Sequence, residues 1–98
     1  MDKRVFKHRG EFALRQVGNE SILVPIRNRV GDLDSVFTLN AVASRVWEGL
    51  DGQRPVDSIV DTVCEEYDVT TEAARADIDE LIQGLEEANL IERVEEER

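Results

Sequence analysis

The hydrophobic pattern of this chain changes its period at Leu39-Asn40, and this change constrains the fold more than any other feature. Before it, apolar residues alternate with a period of about two, as in β-strands, and after it they recur about every 3.6 residues, as in α-helices. Residues 38–52, TLNAVASRVWEGLDG, span the change. They combine a strand end, the helix-capping residue Asn40, an apolar stripe and a stop at Asp51-Gly52. Because strands precede helices, an α+β domain is expected.

Three strands are predicted before the change. Residues 12–17 and 21–26 alternate around Gly18-Asn19, a two-residue turn signal, so they form a hairpin. Residues 35–39 form a third, short strand. Pro25 cannot donate a ladder hydrogen bond, so it belongs at an edge, a bulge or a strand end. The expected sheet is antiparallel, and one of its faces needs cover from helices.

Three amphipathic helices are predicted after the change. The first follows Asn40, the second enters at Pro55, and the third is capped by Thr70 or Thr71 and ends near Asn89. The second and third helices resemble a helix-turn-helix, and the hairpin resembles a wing. The fold class is therefore a three-stranded antiparallel sheet followed by three helices, similar to a winged helix-turn-helix.

Charge argues against the DNA binding that such a shape first suggests. The 98 residues carry a net charge of −10, and residues 31–98 hold nineteen of the twenty-two acidic side chains. The third helix, residues 71–89, contains six acidic residues and one basic residue, Arg75. DNA binding depends on Lys and Arg that neutralise phosphates, so nucleic acid is not an expected partner. Residues 1–10 are basic and unpatterned, and we expect a flexible segment in which Val5-Phe6 can pack on the core, ahead of a domain at 11–94.

Nothing in the sequence indicates an enzyme, a metal site or a membrane protein. No apolar stretch approaches the roughly 20 residues of a membrane span. His8 and Cys64 are the single histidine and the single cysteine, and they lie far apart. We expect His8 to be solvated, Cys64 to fill the core and Trp47 to anchor it. A lone cysteine also favours the cytoplasm.

The pattern Leu39-Asn40, Ala43, Val46-Trp47, Leu50-Asp51-Gly52 resembles the pyrroloquinoline quinone biosynthesis protein D (PqqD-like) family. The start of the second helix and Tyr67 before the third add to the resemblance, which covers residues 12–91. A longer insert between Pro25 and Leu39 departs from the quinone-pathway members. We therefore expect a PqqD-like protein of another peptide-modification system.

The resemblance implies a non-catalytic peptide chaperone without a cofactor. Members of the family bind the leader of a ribosomally made precursor peptide and present it to a modifying enzyme, commonly a radical S-adenosylmethionine protein. The leader adds as a strand to the third strand and lies against the third helix. Carried over to this chain, the strand contacts fall on Ser35, Val36, Phe37 and Thr38. The helix contacts fall among Arg75, Ile78, Asp79 and Ile82.

Two other expectations follow from the residues themselves. An open sheet edge invites strand exchange, so a homodimer is possible. The alternative function is a winged-helix-like adaptor that binds a protein partner through its acidic helices. Mutation distinguishes the two functions, because an adaptor would depend on Glu86 and Glu87 and a peptide chaperone on the third strand.

Overall fold

Two small sheets and three helices make up the computed structural model, which describes residues 2–27 and 37–94. In chain order they are β1 (Phe6–His8), β2 (Glu11–Val17), β3 (Glu20–Arg27), β4 (Phe37–Leu39), α1 (Ala41–Gly49), α2 (Val56–Glu66), α3 (Thr71–Glu87) and β5 (Ile91–Arg93). The strand order β2-β3-β4, antiparallel throughout and followed by three helices, confirms the predicted fold class. Ser35 and Val36, the first two residues of the predicted third strand, lie outside the described residues.

The hairpin of β2 and β3 forms as its turn signal predicts. Gly18 has a φ of 64°, in the left-handed region that glycine favours. Pro25 lies opposite Phe12, and the next pair is Glu11 with Arg27, so Ile26 is an extra residue in β3. Pro25 therefore lies beside a bulge, one of the three positions that its missing N–H allows.

The predicted caps set the ends of the helices. The side chain of Asn40 accepts a hydrogen bond from the Ala43 N–H at 2.8 Å, at the start of α1. The Thr70 hydroxyl accepts one from the Ala73 N–H at 3.1 Å, at the start of α3. Asn89, with a φ of 63°, turns the chain out of α3. The side chains of Asn40 and Thr70 thus pair backbone N–H groups that the start of a helix would otherwise leave unpaired, and the left-handed backbone of Asn89 ends α3.

The core lies where the three helical stripes meet the inner face of the larger sheet. Trp47 is 3% exposed, which confirms it as a core anchor, and Cys64 is partly buried against the same cluster. Phe12 packs edge-on against the Trp47 ring with centroids 5.5 Å apart, so the hairpin is tied to α1. Leu90 and Ile91, which follow α3, return to the core, each 2% exposed.

The N-terminal segment differs from the flexible one that the sequence predicts. Phe6 to His8 form β1, which pairs antiparallel with β5, and Phe6 is 1% exposed. The Val94 N–H donates to the Val5 carbonyl at 2.7 Å, and the Gly52 N–H donates to the Phe6 carbonyl at 2.8 Å. A strand of three residues is too short for an alternating pattern to be recognised in the sequence, and its partner β5 lies near the opposite end of the chain. The predicted domain at 11–94 therefore omits a strand that completes the core.

His8 is likewise not the solvated side chain that was expected. Its ring stacks on Trp47 with centroids 3.7 Å apart and an angle of 7° between the planes. Nε2 lies 2.9 Å from the Trp47 carbonyl, which can only accept, so Nε2 carries the proton and donates. Burial lowers the pKa of His8, and the bond to the Trp47 carbonyl opposes that shift in part.

Candidate functional site

An apolar groove runs between α1 and α3 and reaches β4 at one end. Its volume is about 500 Å³. Most of its wall is aliphatic, with one aromatic ring from β4 and two carboxylates from α3. The lining residues are Phe37, Asn40, Val42, Ala43, Val46, Val63, Val69, Ala74, Asp77, Ile78, Glu80, Leu81 and Gly84.

One stripe of α3 forms the long wall of the groove. Its residues recur at intervals of three and four, which places them on one face of a helix. Ile78 is fully buried at the floor, and Leu81 is half-buried above it. Gly84 lies close to β4, because a Cβ built on it would meet the Phe37 Cζ atom at 4.0 Å. The wall is therefore apolar at its β4 end.

The edge of β4 borders this groove. β4 pairs on one side with β3, in the register Leu23 with Phe37, Ile22 with Thr38 and Ser21 with Leu39. Leu39 is buried and Phe37 half-buried, whereas Thr38 between them is exposed, as alternation across a strand requires. Within residues 2–27 and 37–94, no strand pairs with the other side of β4. Since backbone polar groups alternate between the two sides of a strand, that side presents N–H and C=O groups for pairing.

Two carboxylates give the groove a negative rim. Glu80 and Asp77 lie on α3 about one turn and two turns before Gly84, respectively, and both are exposed. Among the described residues neither takes part in an ion pair, in contrast to Asp79 between them, which pairs with Arg4 at 3.0 Å. A cationic ligand group in the groove would find two partners here.

The structure brings together only some of the residues that the sequence assigns to the site. Phe37 and Ile78 line the groove, and Thr38 lies on the edge strand. Ile82 is 1% exposed and belongs to the core behind the groove wall. Ser35 and Val36 lie outside the described residues. Peptide contact by any of these residues stays a prediction.

Arg75 and Asp79 lie on a different side of α3, where they hold other elements. Arg75 Nη2 donates to Asp57 Oδ1 at 2.6 Å, and Arg4 bridges Asp79 at 3.0 Å and Asp2 at 2.7 Å. The hydrogen bond from Arg75 lowers the pKa of Asp57, and the hydrogen bond from Arg4 lowers the pKa of Asp2 although burial opposes it. These contacts tie the N-terminal segment to α2 and α3, and they place both residues away from the groove.

Sequence reasoning missed the groove residues Asp77, Glu80, Leu81 and Gly84. A helix turns about 100° per residue, so a stripe chosen one or two positions away faces another direction. A signal was present, because Leu81 is an apolar residue beside the core stripe and Gly84 interrupts an otherwise helix-favouring run. The sequence alone does not show which side of the stripe faces the sheet edge.

Neither a metal site nor a membrane span is found in the described ranges. No three His, Cys, Asp or Glu side chains cluster there with the geometry of a metal site. The helices are too short or too polar to cross a bilayer.

Comparisons with known proteins agree with this architecture. The family model of coenzyme PQQ synthesis protein D (PqqD) matches residues 20–91. The solved structure of TbiB1 in complex with the TbiA(beta) leader peptide is 26% identical, with a TM-score of 0.68, and the match covers 92% of this chain and 99% of that chain. A comparison with curated proteins finds no match.

Proposed function

This chain belongs to the PqqD family, and we propose that it is a non-catalytic chaperone that binds the leader of a ribosomally made precursor peptide by strand addition. The observation that carries this proposal is the coincidence of an open strand edge at β4 with an apolar groove along α3. Strand addition draws affinity from main-chain hydrogen bonds and specificity from pockets for alternate side chains. The fold supplies both within one surface.

The register of β4 indicates how a leader would lie. A strand added beside β4 would continue the alternation of the sheet, so every second leader side chain would point to the side of Phe37 and Leu39. That side opens into the groove, where the half-buried Leu81 and Val42 offer apolar surface. The intervening side chains would point to the side of Thr38, which is exposed. We therefore expect a leader with apolar residues at alternate positions.

The similarity to TbiB1, a structure that contains a leader peptide, supports the same function. We further propose that the chain delivers its peptide to a modifying enzyme, of the radical S-adenosylmethionine class, in the cytoplasm where precursors are made. The longer segment between Pro25 and Leu39 favours a modification system other than the quinone pathway. A homodimer formed by strand exchange at β4 would compete with the leader for the same edge.

An NMR titration of the labelled protein tests the proposal. The probes are synthetic peptides that tile the small precursor open reading frames beside its gene. We expect shifts confined to β4 and to the groove face of α3. Leu81→Asp places a charge in the apolar wall and should weaken peptide binding about a hundredfold or more, the size of a hot-spot loss. Gln83→Asp puts the same side chain on an exposed position of α3 and serves as the matched control.

The alternative adaptor predicts a different pattern. Saturating peptide without shifts at β4, in protein that is monomeric by sedimentation, would reject the chaperone. An adaptor that uses its acidic helices would lose its partner on charge reversal at Glu86 and Glu87, which lie on α3 outside the groove lining. Equal effects of Leu81→Asp and Gln83→Asp would also count against the groove as the binding surface.

A further inference from the structure

Gly84 is a glycine in a helix that has no conformational need for one. It lies within α3, three residues before the last helical residue, and its φ is not positive. Apart from proline, glycine is the residue that disfavours a helix most, because it loses the most backbone freedom on folding. Alanine would stabilise this turn of α3 more than Gly84 does, so the space that a side chain would fill decides whether the glycine has another role.

Packing against the described residues does not exclude a side chain from Gly84. A Cβ built on Gly84 would meet the Phe37 Cζ atom at 4.0 Å, an ordinary van der Waals contact. Gly49 is the instructive contrast, since a Cβ there would lie 3.0 Å from Ile59 Cγ1. Gly49 thus permits the close approach of α1 and α2, whereas the described part of the chain leaves room for alanine at Gly84.

The space above Gly84 is part of the groove and lies at its β4 end. Phe37 and Leu81 flank this space, and both are only half-buried. A large apolar group there would cover both side chains, and burial of apolar surface is the main source of affinity in such sites. The carboxylates Glu80 and Asp77 lie one and two turns nearer the N-terminus of α3, so this end of the groove favours an uncharged group.

We propose that Gly84 is a specificity-determining residue. It keeps open a pocket between Phe37 and Leu81 for one large apolar side chain of the leader, branched or aromatic. This inference rests on the proposed function and adds to it the chemistry of one leader position. The side chain belongs to a residue whose backbone pairs with β4, because Phe37 itself lies on that strand. A Cβ at Gly84 would fill part of this pocket without a clash with the described residues.

The test compares Gly84→Ala with Gln83→Ala, a neighbouring exposed position outside the groove lining. The probe is a displayed library of short random peptides, selected on the wild-type protein and then resynthesised singly. We expect Gly84→Ala to raise the melting temperature by about 4–8 °C, because alanine favours the helix. It should at the same time weaken binding of the selected peptides about tenfold. Gln83→Ala should leave their binding unchanged.

The opposite signs of the two effects make the inference falsifiable. A Gly84→Ala protein that binds as tightly as the wild type, or that melts earlier, would overturn the role of Gly84. Selection on Gly84→Leu gives a second, independent readout, in which we expect peptides with a smaller residue at one fixed position. Peptides with unchanged side-chain sizes would contradict the inference. If no peptide selected on the wild type causes NMR chemical-shift changes at β4, the proposed function itself is rejected.

Discussion

The two sides of α3 differ in how they meet the rest of the molecule. On one side, Arg75 and Asp79 are paired with Asp57 and with Arg4 of the N-terminal segment. On the other side, Leu81 and Gly84 face the groove, which the described residues leave open. We call β1, β5 and residues Asp2 and Arg4 the N-terminal clamp. One helix thus uses one side for internal closure and leaves the other for a ligand.

The difference shows which kind of surface carries stability and which carries binding. The ion pairs that Asp2 and Arg4 of the clamp make are partly exposed, and such pairs contribute about 0–1 kcal/mol each. Its stability must therefore come from Phe6, which is 1% exposed, and from the pairing of β1 with β5. In the groove Phe37, Val42 and Leu81 are half-buried instead, so their burial can be completed by a peptide.

The largest effect is expected for Phe6→Ala, which tests whether the N-terminal clamp contributes to stability. Removal of a fully buried phenylalanine costs about 3–5 kcal/mol of unfolding free energy, through lost burial and a cavity. Urea denaturation measures the loss, with the exposed Lys7→Ala as control. Peptide affinity per folded molecule should not change, because Phe6 lies outside the groove lining. A loss of unfolding free energy below about 1 kcal/mol is typical of substitutions at exposed positions. Such a result would favour the flexible N-terminal segment that the sequence predicts.

Much of the fold was readable from the sequence because its signals are local. Asn40 and Thr70 sit directly before helical patterns, and each cap hydrogen bond is made within three residues. Gly18 lies in a two-residue turn between alternating runs, which sets the hairpin register. The stripe that contains Trp47 identified the core face of α1. Local chemistry of this kind does not depend on the rest of the chain.

The missed features depend on contacts between distant segments. β1 is recognisable only through its pairing with β5, and His8 only through the Trp47 ring on which it stacks. The rotation of α3 about its own axis is set by packing on the sheet and on α1. Sequence spacing alone therefore could not show that Asp77 faces the groove and Asp79 does not. The two carboxylates are two residues apart, yet one borders the groove and the other holds the clamp.

Neutralising Asp77 and Glu80, the carboxylates at the rim of the groove, should have a smaller effect, on peptide affinity alone. In the double variant Asp77→Asn with Glu80→Gln, we expect peptides that carry Lys or Arg to bind about three- to tenfold more weakly, since each exposed charge contact contributes up to about 1 kcal/mol. The dependence of affinity on salt should fall as well. Fluorescence titration at two salt concentrations measures both.

The matched control for the rim is the double variant Glu86→Gln with Glu87→Gln. It makes the same change in net charge on the same helix, at exposed positions outside the groove lining. We expect it to leave peptide affinity nearly unchanged. Equal losses in the two double variants would show that the charge of the whole domain, and not the rim, attracts the peptide.

The smallest expected effect concerns the contact of the clamp with α1 and depends on pH. Burial lowers the pKa of His8 below its ordinary value of 6.5, so the folded chain disfavours the protonated ring. As pH falls through 6.5 the unfolded chain binds the proton first, and stability decreases from there down to the folded pKa. Above pH 6.5 the full contribution of His8 is present.

Melting temperatures across this pH range, for the wild type and for His8→Phe, measure the contribution of His8. Phenylalanine keeps a ring for stacking on Trp47 but cannot titrate, so its profile should be flatter just below pH 6.5. Hydrogen bonds from arginine lower the pKa values of Asp57 and Glu66, so the stability they contribute is lost only at more acidic pH. The two windows are therefore separable. Parallel profiles for the two proteins just below pH 6.5 would mean that the stacked ring is not desolvated, and that the clamp is looser at α1 than at α3.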